Sequence, residues 1–197
     1  MILTQDQIME EISRNKIVID PLDKSLFRPS SYILRLSNKL IEFNKIECVD
    51  VLDEKSIYSN VTSIKTFDSY IIRPHQLILS STYEKIGISE DYAGIIMGLS
   101  HIARLGLSLL TSSFISPGFG IDTKSTLTLE LFSVNPSSIK IYKNMPICHI
   151  IFLKLAESAK ELYDQSVSFY SGKDTPYISQ YPLEFNQIIK KIERNDQ

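Results

Sequence analysis

Apolar and polar residues alternate most cleanly in "STLTLELFSVN", residues 125–135. Successive side chains of a strand point to opposite faces. Leu127, Leu129 and Leu131 therefore share one side, and Thr128 and Glu130 the other. "SSYILRLSNKLIEF" alternates well enough for a strand or hairpin arm. "KIVIDP" predicts a short strand stopped by Pro21. "YIIRPHQLILSSTYEKI" holds two apolar runs with a turn at "RPHQ", and "YAGIIMGLS" is a further apolar run. "SIKIYKNMPICHIIFLKL" predicts a strand, a turn at "KNMP" and a buried strand. A different period opens the chain. In "LTQDQIMEEISRNK" Ile8 and Ile12 lie on one helical face, and Thr4 with Gln7 three residues on forms a capping box. The spacing predicts a helix over about 5–14. Short strands recurring between turn signals predict a mainly β barrel or sandwich.

From about residue 164 the pattern changes. "DQSVSFYSGKDTPYISQYP" is polar, yet Phe169, Tyr170, Tyr177 and Tyr181 are too many aromatics for a merely solvating tail. "LEFNQIIKKIERNDQ" predicts a short closing helix with Phe185, Ile188 and Ile189 on one side.

The length of 197 residues suits a single domain, 1–197, with residues 164–197 as its tail. A formal net charge of −2 gives no broad attraction to a nucleic-acid polymer or an anionic membrane. An anionic ligand then needs a local site. Cys48 and Cys148 stand a hundred residues apart, which fits a reducing cytoplasm. No signal peptide is visible, and no apolar run reaches the roughly 20 residues of a membrane span.

The three histidines, His75, His101 and His149, form no zinc-deaminase pattern, and no P-C-x-x-C occurs. Phosphate-loop, nucleophile-elbow and dinucleotide motifs are also absent from the sequence. What draws the eye is Arg104, a lone cation in the apolar, hydroxyl-rich stretch 97–120. "LSHIARLGL" predicts a helical turn or two, capped by Ser100 and ended near Gly106. Ser100 and Arg104 then share a face suited to an anion. The plainer alternative makes Ser100 an ordinary cap and Arg104–Glu130 a structural ion pair.

At these residues the chain resembles the dCTP deaminases of the trimeric dUTPase-like superfamily. "RPSSYILRLSN" is similar to the family's P-S-S-x-D-x-R-L-G-N element. "MGLSHIARLGL" resembles the end of the block closing on G-R-S-S-L-A-R-L-G-L. "FISPGFG" resembles I-D-P-G-[FW]-x-G, and "TLTLEL" the strand carrying the family's glutamate. The resemblance implies a dUTPase-like distorted β-barrel with an N-terminal helix and a few short helices. It implies a homotrimer with sites at subunit interfaces, and zinc-independent deamination of dCTP to dUTP. Glu130 takes the role of proton shuttle, with Ser100 and Arg104 placing the water and ring. Substrate binding is implied for His101, Thr111, Ser112, Phe114, Ser116 and Phe119, and for Tyr163, Tyr170 and Lys173 toward the tail. Magnesium is expected through the triphosphate, with no protein side chain as its ligand.

The departures from the pattern fall where phosphate is bound. Leu99 stands in place of the usual arginine, His101 of the second serine, and Ser116 of the aspartate. One lost charge-assisted contact costs on the order of 1.5–3 kcal/mol. "SLLTSSF" is a residue short and lacks the family's histidine, "IDTKS" is an insertion, and Ile33 replaces an aspartate. Two alternatives therefore stay open: a catalytically silent or retuned nucleotide-binding homologue, and a dUTPase-like pyrophosphatase.

Overall fold

The computed structural model describes residues 1–110, 112–163 and 169–195. The chain opens with helix α1 (Gln5–Ser13), started by the expected capping box: the Gln7 amide donates to Thr4 Oγ1 and the Thr4 amide to Gln7 Oε1. Ile8 is its buried anchor. Strand β1 (Ile17–Asp20) ends at a cis Asp20–Pro21 bond.

Most of the strands form one ten-stranded curled sheet. Its spine is two 12-residue strands, β3 (Ser31–Glu42) and β6 (Leu77–Ile88). β6 pairs with β1, with β3 and with β10 (Ser125–Ser133), while β3 also takes β12 (Pro146–Lys154), and β12 takes β7 (Tyr92–Gly98). Short strands β2 (Phe27–Arg28) and β4 (Lys65–Thr66) flank β3. β8 (Leu107–Leu109) and β9 (Phe114–Ile115) end the sheet, against β10 and β7. Register shifts interrupt β3–β6, β6–β10 and β3–β12. Such bulges bend strands and increase twist, which lets the sheet curl around a core. The result is the expected mainly β architecture with an N-terminal helix and short helices.

The turns at "RPHQ" and "KNMP" form, with His75 and Asn144 at positive φ. Each nonetheless joins strands of different sheets. β5 (Ser69–Ile72) and β11 (Ile139–Tyr142) leave the main sheet and pair with each other. Neither turn closes a hairpin.

The core gathers Tyr32, Leu34, Leu36, Leu40, Ile78, Ile86, Leu129, Ile150 and Phe152, all fully buried. β3 is buried on both faces along much of its length, since it lies mid-sheet, and its alternation is blurred accordingly. One carboxylate lies inside: Glu84, fully buried, accepts from Arg35 Nε at 2.6 Å and from the Arg35 amide at 2.8 Å. A buried charge needs such a partner and further hydrogen bonds. The thiol of Cys148 is buried, which pushes its pKa up, and the neighbouring His149 is half-buried beside Ser31. Among the described residues no helix is long and apolar enough to cross a membrane.

Candidate active site

The β10 alternation is as the sequence predicts. Leu127, Leu129 and Leu131 are buried, and Thr128 and Glu130 are half-buried on the other face. That second face lines a cavity of about 950 Å³. Thr126, Thr128 and Glu130 supply its polar row, and Leu79, Ile96, Ile115 and Phe119 its buried floor. Phe119 meets Tyr163 with ring centroids 5.5 Å apart. Just beyond, Gly120 has φ +62°, and a Cβ there would lie 2.3 Å from the Ile86 carbonyl oxygen, so only glycine fits this approach.

The tail is held along β10. The Thr126 amide donates to the Lys173 carbonyl (2.8 Å), the Gly172 amide to Ser125 Oγ (2.6 Å), and the Tyr177 amide to Thr128 Oγ1 (3.2 Å). Tyr170 stacks edge-on against Tyr177 at 6.2 Å, and the Lys173 ammonium sits 4.5 Å over the Tyr177 ring. The Tyr170 hydroxyl accepts from the Gln180 amide at 2.9 Å. Burial pushes the Tyr170 pKa up, and the negative charges of Glu184 and Glu130 push it further. Tyr170, Tyr177, Ser179, Tyr181 and Glu184 all line the cavity, the last two from the first turn of helix α4 (Tyr181–Asn195). The closing helix thus starts earlier than "LEFNQ" suggested, at the tyrosine before Pro182.

A second cover was not legible in the sequence. Residues 43–61, with helix α2 (Glu54–Ser59) capped by Asp53, bring Phe43, Val49, Val51, Ile57 and Val61 to the cavity's apolar end. Ile57 joins Ile41, Leu79 and Ile178 in a small cluster linking this cover to the tail. The stretch has no clean period, so neither its helix nor its direction could be read.

Of the residues singled out from the sequence, Glu130, Ser112, Phe114, Ser116, Phe119, Tyr163 and Tyr170 line this cavity. Thr111 lies outside the described residues. Lys173 lies beside the lining, through the ring of Tyr177. Ser100, His101 and Arg104 do not line it. They belong to α3 (Ser100–Arg104), exposed after β7. The helix cap is Leu99, and no side chain caps it, so Ser100 is the first helical residue rather than the cap expected of it. Gly106, at φ +78°, ends the turn as predicted. No ion pair joins Arg104 to Glu130 within the chain, which removes the structural-pair alternative for a single protomer. The residues missed were Thr126, Tyr177, Tyr181, Ser179 and Glu184. The surplus of tail aromatics signalled the tyrosines, and nothing signalled Glu184.

A dCTP deaminase-like family model matches residues 2–155. A relative from Hydrogenobaculum sp., named "dCTP deaminase, dUMP-forming", is 37% identical over 158 residues, covering 80% of this chain and 84% of that protein. One of the same name from Sulfurihydrogenibium sp. is 33% identical over 164 residues, covering 83% and 89%. Among solved structures, the 2'-deoxycytidine 5'-triphosphate deaminase of Agrobacterium tumefaciens shares the fold at TM-score 0.59 and 18% identity; the match covers 77% of this chain but 47% of that one. Family model, relatives and fold converge, and the chain belongs to the dCTP deaminase-like family.

Proposed function

We propose that this protein deaminates the cytosine ring of dCTP by hydrolysis, with Glu130 as the proton carrier. The observation that carries the reading is Glu130 itself. It projects from a strand whose other face is anchored in the core, into a cavity covered by an aromatic tail. A carboxylate held this way suits the chemistry. Water adds to C4 and loses a proton to Glu130. The ring N3 gains a proton, and the amino group leaves as ammonia with a proton returned from Glu130. One molecule of water is consumed, and the glutamate ends as it began.

Ser100 and Arg104 take part from a neighbouring subunit of a homotrimer. Their exposure on α3, away from the cavity of their own chain, supports that reading. Magnesium enters as part of the triphosphate substrate, and no zinc step is needed. The setting is the cytoplasm, where exposed Cys48 and buried Cys148 stay thiols.

The test is ammonia release from dCTP with magnesium. Glu130→Gln is expected to lower it by about 10²–10⁴-fold, the usual worth of general acid–base catalysis. Nucleotide binding without ammonia would instead mark a silent homologue. The product of the simple reaction is dUTP. A second reading, release of dUMP, is favoured by the relatives' printed names. Against it, Ser116 in the cavity has no carboxylate to activate a second water. Pyrophosphate assayed alongside ammonia separates the two products.

A further inference from the structure

The described lining of the cavity contains two carboxylates, Glu130 and Glu184, and no lysine, arginine or histidine. The residues outside the described set, 111, 164–168 and 196–197, are Thr, Asp, Gln, Ser and Val, so they add no cation either. A site for a highly charged anion is here built with an excess of negative charge from its own chain.

Glu130 is accounted for by the chemistry, and Glu184 is not. The tail fixes its place. The Gln180 amide donates to the Tyr170 hydroxyl at 2.9 Å, and the Glu184 amide donates to the Gln180 carbonyl at 3.2 Å. The half-buried carboxylate stands at the start of α4 beside exposed Tyr181, where the cavity meets solvent. Both carboxylates are close enough to Tyr170 to disfavour its ionisation. The cation beside the lining, Lys173, is already engaged with the face of Tyr177.

We propose that Glu184 is a specificity-determining residue that acts as a charge filter: it repels the phosphates of the bound nucleotide and so lowers the site's preference for a triphosphate over a nucleotide carrying fewer phosphates. This rests on the reading of the cavity as the deoxycytidine nucleotide site. Like charges brought together in a partly desolvated cleft oppose binding, and the penalty grows with the charge of the ligand. An acid in a first helical turn also suits the helix dipole, but that role gives no dependence on ligand charge.

The experiment compares the full-length protein with Glu184→Gln, titrating dCTP, dCMP and deoxycytidine calorimetrically at low salt and following ammonia in parallel. Gln keeps the shape and helix-forming tendency of Glu, and circular dichroism checks the fold. The filter predicts that dCTP binds about fivefold tighter to the variant. The gain is smaller for dCMP and absent for uncharged deoxycytidine. Glu184→Lys should extend the trend, and salt near 1 M should flatten it. Equal changes for all three ligands, or no change, would overturn the proposal. So would weaker dCTP binding, which would make Glu184 a ligand for phosphate-bound magnesium. If the nucleotides bind but no ammonia appears, the deaminase reading fails while the affinity ratios still decide the filter. If none of the three binds to either protein, both readings fall.

Discussion

Strand β10 and helix α3 carry the three residues on which the chemistry rests, and they hold them in opposite ways. β10 is sandwiched between β6 and β8, and its leucines are sunk in the core. Its period of two leaves Glu130 no orientation except toward the cavity. α3 is five residues long, with no buried residue and no side-chain cap. It holds Ser100 and Arg104 against solvent. The difference teaches that an acid can be aimed by its own sheet, whereas these hydroxyl and guanidinium groups must be aimed by something outside the protomer.

The sharpest way to break that contrast is to divide the site between chains. Arg104→Ala and Glu130→Gln are each expected to lose activity by at least about 10²-fold. Co-expressed in equal amounts, they should regain roughly a quarter of wild-type ammonia release, because a cyclic trimer then forms some sites with both intact groups. No recovery would mean that both groups serve from one chain, or that Arg104 does not serve at all.

Stability separates the two elements next. Leu129→Ala should cost about 2–5 kcal/mol, read from denaturant midpoints, since a fully buried leucine leaves a cavity behind. Arg104→Ala, on an exposed helix, should stay within about 0.5 kcal/mol. The smallest effect sits on the polar face of β10. Thr128→Val removes the acceptor for the Tyr177 amide and should loosen the tail by about 1 kcal/mol. Hydrogen exchange at Tyr177 measures this directly, and α3 amides should not respond.

The same contrast explains what the sequence could tell. β10 was legible down to the facing of single residues, because alternation is a local consequence of pleat and burial. The capping box of α1 was legible for a similar reason: Thr4 and Gln7 satisfy each other within one turn. At α3 the residue types were informative but their geometry was not. Ser100 falls one place inside the helix because Leu99 adopts the extended cap conformation. β5 and β11 were recognisable as strands, yet their pairing spans some seventy residues of chain, and no local pattern encodes it. The cover formed by residues 43–61 escaped entirely, since its apolar residues are scattered and find order only against β6 and the tail. Glu184 escaped because a lone acid on a charged helix resembles any solvated position.

The register shift between Thr126 and Thr128, where β10 meets β6, has a consequence of its own. Deleting a single residue upstream of Glu130 would invert everything after it, driving the acid toward the leucine interior and turning Leu131 toward the nucleotide. Few positions in the molecule are so intolerant of a one-codon change in length. The strand works as a ratchet with two settings, and only one of them gives an enzyme.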